Sequence, residues 1–558
     1  MPDMAHAEVL IVGGGPVGLT LALDLAWRGI EVTVIEKRAP AEPPEPKCNH
    51  VAARTMEIFR RLGLAKEVRN AGLPADYPHD ISYRTTFAGR ELTRIPIPCR
   101  RDRFTCKEGP DCNWPTPEPP HRINQIFLEP ILFEHAAAEP RIHLINRALV
   151  EDVGIEDGSA SATFRDLDSG TVSHLSCRYL VGCDGARSLV RKAIGAELEG
   201  EPIVQRVQST YIRAADLIHR QACGRAWGTG VINPRRAGMV YAIDGIERWL
   251  IHNYMRPGED DFDSVDRDAC IRTILGVGED FKYEIISKED WYGRRLIANR
   301  FRNRSAFIAG DAAHIWVPYA GYGMNAGIAD ASNLSWLLAA HLNGWAPASI
   351  LDAYEAERWP ITHQVSRFAM SHAEAEIRRR GAIPDEIEDE GEGGERARQQ
   401  TGRLTYEINV QQYACAGLNF GTFYDCSPII AYDGGKPPAY TMSAYTPSTV
   451  PGCRMPHFWC AGGRSLYDVM GRDFTLIRFD PAVDVAALEA AARKRGVPLT
   501  VLDLQRPEAS CFHHALVLAR PDQHVAWRGD HLPTDPRALI DCIRGASNRA
   551  DADDLRGF

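Results

Sequence analysis

The apolar run Glu8-Val-Leu-Ile-Val12 leads directly into Gly13-Gly-Gly-Pro-Val-Gly18, and helix-spaced Leu19, Leu23 and Ala26 follow up to Gly29. A short continuous apolar run is the pattern of a strand buried on both faces. Glu31-Val-Thr-Val-Ile-Glu36 supplies a second strand, so the chain opens on a complete strand–helix–strand unit. Each glycine has a task. Gly13 makes the tight turn, Gly15 lets backbone approach a pyrophosphate, and Gly18 allows close helix–strand packing. The helix N-terminus, at Pro16 and Val17, attracts phosphate. Glu36 ends the second strand beside Lys37 and can accept from both hydroxyls of an adenosine ribose. This unit alone does not separate NAD from FAD.

A second motif lies almost three hundred residues later: Gly310-Asp311-Ala-Ala-His314, Pro318, then Gly321-Tyr-Gly323-Met324-Asn325-Ala-Gly327, after the apolar strand Ser305-Ala-Phe-Ile-Ala309. An aspartate at a strand end suits the hydroxyls of an extended polyol such as a ribityl chain. The glycine-rich turn opens a long helix, about Met324 to Leu342, whose positive end can face the electron-rich N1–C2=O edge of a flavin. Between the two motifs, Asp184-Gly-Ala-Arg187-Ser188 follows the apolar Tyr179-Leu-Val-Gly182. The three in this order point to FAD.

The 558 residues are too many for one ordinary core. The 64 basic and 74 acidic residues give a formal charge of −10, which argues against a nucleic-acid partner. Fourteen cysteines contain no Cys-x-x-Cys, and no metal-ligand spacing occurs, so the thiols read as free in a reducing, cytoplasmic compartment. Met1 to Ala7 holds no apolar stretch of leader length, and no run is long enough to span a bilayer, so no membrane partner is expected.

The pattern divides the chain as follows. Residues 1–200 form the first part of an α/β, Rossmann-like nucleotide-binding domain, with an irregular, proline-rich excursion over 96–120 and a helix from about Gln125 to Ala138. Residues 201–295 alternate as an antiparallel sheet. Residues 296–375 complete the first domain and its long helix. Residues 376–440 connect, with an acidic loop at Asp385–Glu395. Residues 441–558 restart as a small α/β unit.

The three motifs together resemble the single-component FAD-dependent aromatic hydroxylases, the para-hydroxybenzoate hydroxylase class. Lys47-Cys-Asn-His-Val-Ala-Ala-Arg54-Thr-Met-Glu-Ile-Phe-Arg-Arg-Leu-Gly63 resembles the phenol and chlorophenol hydroxylase branch. So do Ser427-Pro-Ile-Ile, Pro451-Gly-Cys-Arg-Met-Pro-His457 and Asp522-Gln-His-Val-Ala-Trp527. The resemblance implies an FAD monooxygenase that uses NADPH or NADH and O2, through a flavin C4a-hydroperoxide, on a small phenolic substrate. It implies that Gly13, Gly15, Gly18 and Glu36 hold the adenosine half, and that Lys47, Arg54 and Gln125 sit near the pyrophosphate and ribityl chain. Asp184 and Arg187 would lie where the nicotinamide approaches, with Asp311 on the ribityl chain and Pro318 beside the reactive flavin face. The backbone of Met324 and Asn325 would meet the pyrimidine edge. The C-terminal unit is implied to be thioredoxin-like, without dithiol chemistry, serving packing or a homodimer.

Two departures bear on mechanism. Lys47 stands where many relatives carry arginine, and Asn49 where the branch has an aspartate that assists substrate deprotonation. An amide is no base, so the task passes to His50 or to no residue. Tyr241, His252 and Tyr254 are the substrate-contact candidates on the sheet. Other flavin chemistry, a halogenase or an oxidase, is the nearest alternative, though the Trp-x-Trp-x-Ile-Pro halogenase signature is missing. A non-enzymatic binding protein of the same fold is more remote, since Asp184, Asp311 and the flavin turn are intact.

Overall fold

The computed structural model describes residues 6–508 and 511–547. Met1–Ala5, on which part of the N-terminal reading rests, and the last residues of the C-terminal unit lie outside them.

The opening unit forms strand His6–Val12, helix Pro16–Trp27 and strand Val32–Ile35. The first strand pairs in parallel with Val32–Ile35 on one side and Val172–Gly182 on the other. Ala306–Ile308 and Ile142–Ile145 extend the same sheet in parallel at either end. Val9, Leu10 and Ile11 have no exposed surface, as their unbroken apolar run requires. A hairpin, Ala148–Glu156 with Ser159–Asp166, joins through Val172–Gly182.

The second sheet has eight strands, ordered His314–Trp316, Glu284–Ala298, Leu198–Arg213, Arg248–Tyr254, Gly238–Ala242, Gly228–Val231, Ile81–Arg84 and Glu91–Ile95. It is antiparallel except where Gly228–Val231 meets Ile81–Arg84. The expected boundary at 201–295 is therefore too narrow. Ile81–Arg84 and Glu91–Ile95 come from within the stretch assigned to the nucleotide domain, and His314–Trp316 from the flavin motif itself. Local alternation cannot reveal which sheet a strand joins.

The acidic segment Asp385–Glu395 is not a free loop. Asp385–Glu388 is a 3₁₀ turn and Glu392–Tyr413 a helix. Ile387 is fully buried, Arg235 bonds Glu388 at 2.6 Å, and Arg398 donates to the carbonyls of Ile387 and Asp389. Arg235, distant in sequence, answers one of the charges that suggested disorder, and Arg398 of the following helix ties down the backbone. The cysteine expectation also needs correction. Cys106 and Cys112 are bonded, six positions apart within the irregular 96–120 excursion. Among the described residues no helix is long and apolar enough to cross a membrane, and no metal-ligating cluster occurs.

Residues 474–543 hold the sheet Leu499–Asp503, Phe474–Arg478, Leu516–Ala519, Val525–Gly529, with one parallel and two antiparallel pairings. With helices Ala486–Arg495 and Pro536–Ile543 it is the thioredoxin-like unit the sequence implied. It docks through apolar packing, Phe474 against Trp336 and Trp345, and through charge. Arg520, wholly buried, donates to both carboxylate oxygens of Glu357, at 2.5 and 2.8 Å, and to Asp522 at 2.7 Å. Arg454 reaches Glu57 in the same seam. Removing one member of a buried pair strands the other charge, at a cost of about 3–5 kcal/mol. Arg520→Met should lower the thermal midpoint accordingly. Adding Glu357→Gln should recover part of that loss, and strictly additive losses would show that the pair is not coupled.

Candidate flavin and substrate cavity

One cavity of about 970 Å³ runs from the first glycine-rich turn, past Asp184 and Asp311, to the inner face of the second sheet. Its walls include Gly13, Gly15, Pro16, Val17, Glu36, Lys37, Lys47, Asn49, His50, Gln125, Asp184, Arg187, Asp311, Pro318, Gly321, Gly323, Met324, Tyr241, His252 and Tyr254. Residues scattered over more than 300 positions thus converge on one space.

At its nucleotide end the turn is built as the spacing demands. Gly13 has φ +105°, and a Cβ there would lie 2.4 Å from the Cys183 carbonyl oxygen. A Cβ on Gly18 would lie 2.0 Å from the Gly13 oxygen, so Gly18 shapes the turn from behind and does not line the cavity. Gly15 has open space at that position, the cradle a close-approaching ligand needs. Glu36 accepts from the Gly14 amide at 2.6 Å and from Arg38. Arg38 also pairs with Glu129 at 2.8 Å, and Glu129 is in turn bonded by Gln125. Arg38 was missed because it sits just past the strand whose end drew attention.

Asp184 receives Ser188 Oγ at 2.5 Å and the Leu189 amide at 2.7 Å, so its carboxylate caps the following short helix. Arg187 is exposed at the rim. Asp311 is exposed to the cavity but enclosed by protein. That enclosure raises its carboxyl above the usual range, against the pull of His314 and Lys47. Among the described residues no protein donor bonds it, so its acceptors are open to a polyol. His314 and the Gly310 amide bond Asp330 at 2.7 and 3.2 Å, which fixes the motif from beneath. Gly310 itself, at φ +61°, packs on Val17 and is not a wall residue.

Several expected contacts are relocated. Arg54 faces away from the cavity: it bonds Glu57 at 2.9 Å, the Asp522 carbonyl at 2.6 Å and the Gln523 side chain, so it belongs to the seam with the C-terminal unit. Lys47 pairs with Glu289 of the second sheet at 2.6 Å. Asn325 works through its side chain, which accepts from the Ala52 amide and donates to the carbonyls of His50 and Gly321, at 2.8, 3.0 and 2.7 Å. His50 is the sharpest correction. Its Nδ1 faces a guanidinium nitrogen of Arg122, which can only donate. Nδ1 is thereby engaged as an acceptor, while Nε2 is buried without a protein partner. Asn49 accepts from the Asn124 side chain.

The sheet end is aromatic. Trp227, Tyr241, His252 and Trp291 follow one another at ring separations of 5.2, 5.7 and 5.8 Å, close to the aromatic packing range. Tyr83, Tyr254, Tyr319 and Tyr413 add to the walls. Burial lowers His252 to about 4, so it is neutral at pH 7. Burial holds the Tyr241 phenol well above its usual value, so it acts as a donor. Arg122, 2 % exposed, lies 5.1 Å from the Trp227 ring and 5.7 Å from Tyr413, and burial brings it down to about 10. Sequence alone gave no sign of Arg122, a single cation beside a proline-rich loop.

These features define a flavoprotein with a substrate chamber opening from its cofactor site. Residues 6–369 match the family described as FAD binding domain, and residues 448–546 match the one described as aromatic-ring hydroxylase, C-terminal. The chain is similar to the FAD-dependent monooxygenase apdD of Emericella nidulans, 31 % identical over 95 % of this chain and 88 % of that one. It is also similar to a phenol 2-monooxygenase of a Pseudomonas species, 29 % identical over 97 % and 93 %. Among solved structures, the rebeccamycin biosynthetic enzyme RebC with reduced flavin superposes with a TM-score of 0.88, at 33 % identity over 97 % of this chain and 99 % of that one. The chain belongs to the single-component FAD-dependent aromatic hydroxylases; it is a flavoprotein monooxygenase, and FAD is its cofactor.

Asp311 gives a two-sided test. Its folded-state carboxyl is raised, so the folded, FAD-free protein binds more protons than the unfolded chain. Stability of that form therefore falls as pH rises from the ordinary aspartate value of about 4 through the raised one. Asp311→Asn should retain less FAD, yet in FAD-stripped protein it should melt higher than the parent at pH 7, the gap closing on acidification. Equal flavin content and equal melting at both pH values would exclude the role.

Proposed function

We propose that the protein hydroxylates a phenolic aromatic held against the second sheet, with NADPH or NADH as reductant and O2 as oxidant. The observation that carries this is the single cavity joining Gly15 and Asp311 to the wall of Trp227, Tyr241, His252 and Tyr254. Gly13, Gly15, Pro16, Val17, Glu36 and Lys37 hold the adenosine half of FAD, with Gly18 and Gly310 shaping the turns. Asp311 would hold the ribityl chain, and Gly321, Gly323, Met324 and Pro318, which line the same cavity, would hold the isoalloxazine. Arg187, exposed at the rim, suits an incoming nicotinamide dinucleotide. Bound FAD supplies hydride acceptance and oxygen activation.

The protein's own part is to exclude water, stack the ring and favour its ionised form, since electrophilic attack is faster on a phenolate. With Asn49 unable to act as base and His50 engaged, electrostatics do this work. The buried Arg122 guanidinium stabilises a phenolate oxygen nearby, and the Tyr241 hydroxyl donates to it. A homodimer and a cytoplasmic setting accord with the fold class.

Oxidation of NADPH or NADH should be accelerated by phenols, and the product should carry one oxygen atom from labelled O2. Consumption without product, giving only peroxide, would favour an oxidase. Arg122→Met should shift the pH dependence of hydroxylation towards the free phenol value of about 10, by a unit or more, while flavin reduction stays intact. An unchanged profile would remove Arg122 from the mechanism.

A further inference from the structure

The far end of the cavity, away from the nucleotide turn, is built from the last turn of the helix Asp352–Arg380, the strand Leu198–Arg213 and the helix Glu392–Tyr413. Three cationic side chains line the substrate half, Arg122, Arg379 and Arg380, against one carboxylate, Glu376. Glu376 is fully used. It accepts from Arg379 at 2.7 and 3.0 Å and from Asn409 at 2.7 Å. The Arg379 side chain is 10 % exposed and gives Nε and Nη2 to Glu376, but its Nη1 is buried without a partner. Arg380 donates to Gln205 at 3.2 Å and lies 4.2 Å from the Tyr254 ring, with no carboxylate bonded to it. Gln205 accepts from Arg380 through Oε1, which leaves its Nε2 pointing elsewhere, buried and also without a partner.

The orphaned atoms at this end, Arg379 Nη1 and Gln205 Nε2, are donors. A buried donor without an acceptor costs free energy, and an uncompensated guanidinium costs more. A wall of unmatched donors and excess positive charge is matched by an anionic acceptor, and the planar fork of arginine suits a carboxylate. Tyr83 lies within electrostatic reach of Arg379, and Tyr413 within reach of Arg122. Both rings line the space between this end and Arg122.

We propose that the substrate is an aromatic carboxylate, its carboxylate seated on Arg379, Arg380 and Gln205 while the ring to be hydroxylated lies towards Arg122. This rests on the hydroxylase reading above, but concerns a different end of the cavity. The carboxylate also fixes which way round the ring enters, so Arg379 and Arg380 would set the position of hydroxylation.

The test uses the FAD-loaded enzyme and paired probes, 1-hydroxy-2-naphthoate and its methyl ester, with binding read from the flavin absorbance change. A charge-assisted contact implies that the acid binds about tenfold tighter or more. That preference should shrink to within about twofold in Arg380→Met and recover in part in Arg380→Lys, at unchanged FAD content. Arg379→Met should act in the same direction. Acid no tighter than ester in the parent enzyme, or a preference that survives both methionine variants, overturns the proposal. Reductant consumption separates the two readings. If the acid binds preferentially but no aromatic stimulates NAD(P)H oxidation, the carboxylate site stands and the hydroxylase reading fails. If both probes bind equally and both are hydroxylated, the reverse holds.

Discussion

The buried amide of Asn325 joins the two halves of the cavity. Its oxygen takes the Ala52 amide, and its nitrogen bonds the carbonyls of His50 and Gly321. One side chain at the start of the flavin helix thereby holds the loop Lys47–Ala52 against the glycine-rich turn. Gly321, at φ +59°, packs so closely on His50 that a Cβ there would lie 2.8 Å from the His50 Cβ. Everything else at the reactive centre depends on this clamp. Lys47 extends from the loop to Glu289, His50 meets Arg122, Asn49 meets Asn124, and the Gln125 amide bonds the Cys48 carbonyl. The Asn325 amide itself is satisfied at both its oxygen and its nitrogen, which makes it a firm anchor for the loop.

Around that clamp the molecule divides its electrostatics. At the nucleotide end Arg38 bridges Glu36 and Glu129, so two carboxylates share one cation, and Asp184 is absorbed into a helix cap. Asp311 is left as a carboxylate with open acceptors beside the flavin turn. The substrate end has the opposite character, with Arg122, Arg379 and Arg380 on its walls; Glu376 offsets Arg379, and the buried Asp111 lies 4.0 Å behind Arg122. A phenolate and a carboxylate are the species such a field favours, and both reactions of the proposed cycle, ring ionisation and orientation, draw on it. In the proposed reading the Arg122 guanidinium favours the ionised phenol, with no residue assigned as base.

The C-terminal unit contributes no wall to the cavity, yet it reaches the same helices that position it. Arg54 and Glu57, only a few residues beyond the His50 loop, are engaged by Asp522, Gln523 and Arg454, and Glu357 by Arg520. These contacts give the thioredoxin-like fold a structural reason to accompany the flavin domain without any dithiol. They also explain why Arg54, which sequence pattern placed near the cofactor, is found elsewhere. A guanidinium in a helix next to a binding loop can turn to either side, and here the buried acceptors lie on the far side.

Sequence alone determined the elements whose signal is local. The glycine spacing at Gly13, Gly15 and Gly18 dictates a turn that only those residues permit, and the apolar runs at 8–12, 31–36 and 305–309 dictate buried parallel strands. The helix Gln125–Ala138 follows from its local pattern too, and Asp311, Gly321, Tyr241, His252 and Tyr254, singled out in the sequence, line the cavity. Tertiary structure decided what depends on partners distant in the chain. It placed Ile81–Arg84 and Glu91–Ile95 in the second sheet, ordered the acidic Asp385–Glu395 segment through Arg235 and Arg398, and joined Cys106 to Cys112. It also turned Arg54 outward, gave His50 to Arg122, and brought Arg379 and Arg380 into the chamber. Strand pairing and charge pairing are long-range. A charged residue's role is set by whichever acceptor the fold carries to it, and no local pattern encodes that neighbour.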